Sequence, residues 1–185
     1  MSRPRTNLRL FVAIYPPSQL SGELLGALQS HDLPDHRTVP PQQVHVTLHF
    51  VGDTPTKQLD TTIELVQRAT AGIGAFELTV QQLITLPQRG PSRLIAAETD
   101  RPPELLEIQR RLVTRLARSP RRDATDRFRP HLTLCRLKKP TKGIKLESLF
   151  DIRSFVVDKV ALMKSTLRSD GAQHHEIMSC ALGGQ

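Results

Sequence analysis

A four-residue pattern recurs in this chain of 185: His45-Val46-Thr47-Leu48 comes back as His131-Leu132-Thr133-Leu134. Both copies lie in short runs of strand-forming residues, so each reads as a β-strand. Side chains alternate faces along a strand. His45 and Thr47 therefore share one face while Val46 and Leu48 enter the layer behind, and His131 and Thr133 stand likewise over Leu132 and Leu134. Any fold for this chain must hold two strands, each with an apolar back and an imidazole and a hydroxyl in front. One such match arises by chance in roughly one chain in ten, two in well under about one in a hundred, so the constraint comes from the pair. The copies begin 86 positions apart, close to half the chain, which suggests an internal duplication.

The rest of the pattern alternates strands and helices. Leu8 to Ile14 reads as a buried strand stopped by Pro16-Pro17, and Leu20, Leu24, Leu25 and Leu28 mark a helix after it. A polar loop from His31 to Gln43 leads into a strand over Val44 to Val51, ended by a Gly-Asp turn. Pro55 to Ala71 is expected to be helical. Phe76 to Leu86 and Ser92 to Thr99 form a hairpin, and a second long helix opens at Pro102-Pro103. Phe128 to Leu137 is the second motif strand. Pro140 to Leu149 is a basic connection, with closing strands over Phe155 to Leu167 and Glu176 to Leu182.

With 38% hydrophobic residues and no low-complexity linker, the expectation is one domain over residues 1–185, built as two lobes sharing an interior. Twenty-six Lys and Arg against 18 Asp and Glu give a net charge of +8, with arginines clustered at Arg110, Arg111, Arg115, Arg118, Arg121 and Arg122. Such a surface suits phosphate-rich partners or is simply well solvated. The two cysteines, Cys135 and Cys180, cannot staple a fold or hold a structural zinc alone. No run approaches membrane-spanning length and the opening residues lack a cleavage-site pattern, so a cytoplasmic protein is expected. Without coiled-coil repeats, a monomer is expected.

Two histidines facing each other across a cleft suit displacement at phosphorus. One, neutral, takes a proton from the attacking oxygen; the other, protonated, gives one to the leaving oxygen, which imidazoles with a reference pKa near 6.5 can both do. Threonine hydroxyls can donate hydrogen bonds to the non-bridging oxygens, where charge develops. No metal, cofactor or covalent nucleophile is required. The other histidines lack an HExxH or Cys/His pattern that would gather a metal.

HVTL and HLTL resemble the two HxTx motifs of the 2H phosphoesterase superfamily, and within it the bacterial and archaeal RNA 2′,3′-cyclic phosphodiesterases, historically called 2′-5′ RNA ligases. The likeness extends to RLFVAIYPP near the start, VPPQQVHVTLHFVGD, FRPHLTLCR and the late STLRSDG. It implies an α+β, bilobal fold of two pseudo-symmetric lobes with antiparallel-rich sheets around a central cleft. It also implies metal-independent opening of a 2′,3′-cyclic phosphate at an RNA end, tRNA fragments included, to a 2′-phosphomonoester, with 2′-5′ ligation as the reverse. His45 would be the general acid toward the 3′ oxygen and His131 the general base on water, with Thr47 and Thr133 on the phosphate.

The resemblance makes Arg136 a phosphate ligand, yet strict alternation from His131 sends it to the opposite face unless a bulge intervenes. Arg129 has the right parity and is the other candidate. His49 shares a face with His45 and Thr47 if the strand runs straight, which would set it on the cleft rim as a substrate contact; Phe50 would then be core. Relatives carry a Trp shortly before the first motif, where this chain has Thr38, and an aromatic residue after the late glycine, near His174-His175. With no Trp and one Tyr in the chain, base stacking falls to Phe, His or Arg planes. The basic surface equally motivates a different class of function, a module that binds cyclic or 2′-phosphate RNA ends without turning them over.

Overall fold

The computed structural model describes residues 7–117, 128–146, 153–168 and 171–183. Arg118, Arg121 and Arg122 of the basic cluster lie outside the described residues. Among the described residues three helices, α1 (Ser18–Gln29), α2 (Leu59–Thr70) and α3 (Pro103–Leu116), accompany nine strands. These are β1 (Asn7–Ile14), β2 (His36–Thr38), β3 (Val46–Pro55), β4 (Phe76–Leu86), β5 (Ser92–Thr99), β6 (His131–Thr141), β7 (Arg153–Val157), β8 (Lys159–Arg168) and β9 (Gly171–Ala181). They form one sheet in the order β7-β4-β5-β6-β3-β1-β8-β9, with β2 added on β6. Every pairing is antiparallel.

The duplication suggested by the motifs is visible in the topology. β1, α1 and β3 make a strand, helix, strand unit in which the two strands pair directly, and β5, α3 and β6 make another. Both β5 and α3 begin 85 positions after β1 and α1. The two halves meet where the motif strands touch, through the single pair Val46↔Leu132.

The sheet is also obliged to curl. β7 lies at one end of the strand order and β8 next to the other end, yet only Asp158 separates them in the chain. Opposite ends of the sheet must therefore come together. One face is covered by the apolar stripes of the helices, with Leu24 and Leu28, Val66 and Ala69, and Leu105, Ile108 and Leu112 packed on Val12, Val46, Leu48, Ile95, Leu132 and Leu134. On the other face the described residues form a small apolar group, Phe11, Ala13, Ala161 and Met163 with Tyr15 beside it. The histidines lie on this lightly furnished face.

The structure departs from the sequence expectations where pairing overrides local turn signals. β3 runs through Gly52 and Asp53, which pair with Leu10 and Arg9; Gly52 takes φ 81°, open to glycine, at the register shift there. The helix expected from Pro55 begins at Leu59, after a 3₁₀ turn over Thr56–Gln58. The run expected as one strand over Phe155 to Leu167 divides at Asp158 because its two parts serve different halves, β7 pairing with β4 and β8 with β1. The expected loop from His31 to Gln43 contributes β2, whose backbone is satisfied by β6. No helix of the described residues is long and apolar enough to cross a membrane.

Candidate active site

Each motif histidine is fixed by its own backbone. The Nδ1 of His45 lies 2.6 Å from the carbonyl oxygen of Gln43, and that of His131 lies 2.8 Å from the carbonyl oxygen of Arg129. A carbonyl only accepts, so Nδ1 carries the proton in both rings and the neutral imidazole keeps its lone pair on Nε2. Each carbonyl belongs to the residue two before the histidine, so the two halves use one device. Continuing the Val46↔Leu132 register by a residue each way sets His45 across from Thr133 and Thr47 across from His131. Each imidazole is thereby matched with the other motif's hydroxyl. The partners of the threonines on the outer side are small: Ala13 opposite Thr47 and Ala96 opposite Thr133.

The leucine that ends each tetrapeptide is a bulge. Thr47 pairs with Ala13 and His49 with Val12, which leaves Leu48 unmatched; Thr133 pairs with Ala96 and Cys135 with Ile95, which leaves Leu134 unmatched. An extra residue inverts the alternation that follows. Leu134 and Cys135 are consecutively buried in the main core, so Arg136 comes forward onto the face of His131 and Thr133. Its charge bears on both imidazoles. The same inversion corrects the first motif: His49 turns back to the face of Val12, away from His45 and Thr47. Phe50 comes forward, 71% exposed, with its ring 6.3 Å from that of Phe11. Phe50 and Arg136 are counterparts, each five residues past its histidine.

The charged candidates divide. Arg129 directs its Nε at Glu98, which also accepts from Gln82 Nε2 at 2.8 Å, and Glu98 is the strand partner of His131. Arg136 has no ion pair among the described residues. His45 is surrounded by rings instead: Phe11 and Tyr15 each at 5.2 Å and His174 edge-on at 5.1 Å. The Tyr15 hydroxyl and His174 Nδ1 are buried without a hydrogen-bond partner among the described residues. No pattern in the sequence signals that His174 or Tyr15 approaches His45, because the hairpin of β8 and β9 is brought there only by the curl.

Burial pushes His45 down to about 4, against the pull of the Gln43 carbonyl and helped by the charges of His174, His131 and Arg136. Burial also lowers His131, where the Arg129 carbonyl and the Glu98 carboxylate oppose it while Arg129 and Arg136 add to it. Both rings are thus neutral in the free protein near pH 7. Tyr15 is raised, first by burial and then by the Glu176 charge. A cavity of about 470 Å³ between the end of α1 and the tail of β6, lined in part by His31, Asp32, Lys142 and Lys145, contains neither motif histidine. The curl of the sheet, which brings His174 of β9 against His45, makes the motif face a groove.

The model of the 2′-5′ RNA ligase superfamily matches residues 16–168. The chain belongs to the 2′-5′ RNA ligase superfamily. The chain is 27% identical to an RNA 2′,3′-cyclic phosphodiesterase of Thermus thermophilus, over 96% of its own length and 92% of the relative's. It is 28% identical to an RNA 2′,3′-cyclic phosphodiesterase of Aquifex aeolicus, over 79% and 81% of the two chains. A crystal structure of a Thermus thermophilus protein superposes with a TM-score of 0.80 at 25% identity, covering 96% of this chain and 100% of that one. E. coli LigT complexed with 3′-AMP gives a TM-score of 0.81 at 23% identity over 96% and 99%, a likeness of fold. The α+β, two-lobed architecture expected from the motifs is therefore that of the superfamily.

Proposed function

We propose that this protein hydrolyses the 2′,3′-cyclic phosphate at an RNA end to a 2′-phosphomonoester, with two imidazoles as acid and base and no metal ion. The observation that carries the reading is the pair of histidines with Nδ1 tied to backbone and Nε2 left for chemistry, sharing one face with two threonines and an arginine that has no ion pair among the described residues. The relatives' names, RNA 2′,3′-cyclic phosphodiesterase, support the same substrate. Each half supplies one histidine, so residues 1–185 act as a single catalytic domain.

In this mechanism neutral His131 takes a proton from water through Nε2 as the water oxygen attacks phosphorus. Thr47, Thr133 and Arg136 donate to the non-bridging oxygens, whose charge grows toward the transition state. The P–O3′ bond breaks, and His45 delivers its Nε2 proton to the 3′ oxygen. A ring held down to about 4 is uncharged in the free protein. The bound phosphodiester supplies the missing negative charge beside His45, so substrate itself arms the acid. With a 5′-hydroxyl in place of water the same roles apply: His131 takes the hydroxyl proton, His45 protonates the departing 3′ oxygen, and the product is a 2′-5′ linkage; the roles exchange only when that linkage is cleaved back to the cyclic phosphate. Phe50, forward and exposed, offers the stacking plane that the absent Trp does not. Arg129 serves the site through Glu98, which sits beside His131.

The deciding experiment is incubation with an oligoribonucleotide ending in a 2′,3′-cyclic phosphate, with and without chelator, followed by separation of the products. Conversion to the 2′-phosphate, undiminished by chelator, is expected. Recovery of unchanged but bound oligonucleotide would instead make the protein an RNA-end binding module.

A further inference from the structure

β2 continues along the edge of β6 that β3 begins, and its register sets Arg37 directly opposite Arg136. Directly opposed residues of an antiparallel ladder present their side chains on one face. The bulge at Leu134 has already brought Arg136 forward, so Arg37 comes forward with it. Like charges directly opposite each other are unfavourable, and among the described residues neither arginine has an ion pair to relieve the other. Among the described residues, what such an arrangement lacks is an anion.

The two guanidinium groups are directed to different places. Arg136 acts on both imidazoles. Arg37 packs against the backbone of Gly171 at the start of β9, so closely that a Cβ on Gly171 would lie 2.6 Å from a guanidinium nitrogen. Gly171 has φ +129°, a conformation reserved for glycine, so bare backbone is kept at this contact. The contact bridges the halves, since β2 belongs with β6 and β9 with β8. Arg37 thus stands at the outer end of the groove, one strand spacing from the ligand of the reacting phosphate.

We propose that Arg37 binds a second phosphate, the phosphodiester on the 5′ side of the terminal nucleotide, while Arg136 holds the cyclic one. The inference rests on the cyclic phosphodiesterase reading and narrows its substrate class to oligoribonucleotides in preference to cyclic mononucleotides. Neighbouring strands lie about 4.8 Å apart, and two long side chains rooted at that spacing can spread onto consecutive phosphates of one strand.

The test compares wild type, Arg37→Gln and Arg37→Lys on a nucleoside 2′,3′-cyclic monophosphate and on a short oligoribonucleotide with the same terminal nucleotide. Arg37→Gln is expected to lower kcat/KM for the oligonucleotide about tenfold and for the mononucleotide less than about twofold. It should also reduce the salt slope of oligonucleotide binding by about 0.7, the value of one phosphate contact on a single strand. Arg37→Lys should keep most of the preference. Equal losses on both substrates, or no loss on the oligonucleotide, would overturn the proposal. If wild type hydrolyses neither, the activity reading fails by itself, and affinities for a 2′-phosphate oligonucleotide and a nucleoside 2′-phosphate decide Arg37 separately. A loss confined to the oligonucleotide supports the second-phosphate site, and unchanged affinity overturns it.

Discussion

Around His45 the near side chains are rings, Phe11, Tyr15 and His174; around His131 they are charges, Glu98 with Arg129. The backbone device is the same in both halves: a carbonyl two residues back, a threonine two residues on, a bulge at the leucine. The duplicated scaffold delivers two equivalent imidazoles, and the surroundings make them different. Among the described residues the ring surrounded by aromatics has no counter-ion beside it, and in the proposed mechanism it gains its charge from the substrate. A ring beside a carboxylate is adjusted in advance.

The comparison breaks most plainly at the histidines. Replacing either His45 or His131 by Ala should lower kcat by about 10²–10⁴ on a cyclic-phosphate oligonucleotide; a variant that keeps turnover would show that one half suffices. Next come the counterparts that follow the bulges. Arg136→Ala is expected to lower kcat by about 10²-fold, because its charge meets the developing phosphorane. Phe50→Ala is expected to raise KM by about tenfold with kcat nearly kept, as the loss of one stacked base implies. Steady-state kinetics of the two variants separate these outcomes, and identical signatures would erase the distinction between the halves.

Stability against pH gives a smaller effect. Since folding holds His45 at about 4 while the unfolded chain titrates near 6.5, the unfolded state binds the extra proton in that window. Stability therefore falls as pH drops from 6.5 to about 4, and it is fully present above. Urea melts at about pH 7 and about pH 5 should show the decline, and His45→Gln should flatten it. Smallest is Glu98→Gln. Removing the carboxylate that supports a proton on His131 leaves Arg129 and Arg136 to push the ring lower. The limb of the pH–rate profile that belongs to His131 is expected to move to lower pH, with kcat at the optimum changed only a few-fold.

Much of this was legible before any fold was in hand. The two tetrapeptides located the imidazoles and hydroxyls, and the apolar stripes of α1, α2 and α3 located the layer behind them. Phe50 and His49 were misassigned for one reason: a bulge is a property of two strands in register, and Leu48 looks like any other strand residue until Val12 and Ala13 are set beside it. Arg136 depended on the same event at Leu134. The contact of His174 with His45 and the place of Arg37 were hidden for a different reason. Both residues reach the groove through strand order and curvature, which no local window of sequence contains.

Asp158 sets how tightly the ends of the sheet are drawn together. With a link of one residue the arc has no slack, so the hairpin of β8 and β9 is carried round until His174 touches His45 and Gly171 touches Arg37. Chain length at that point is consequently a mechanical dimension of the groove: added residues there would let the arc relax and widen the mouth, while the interior of each half stayed as it is.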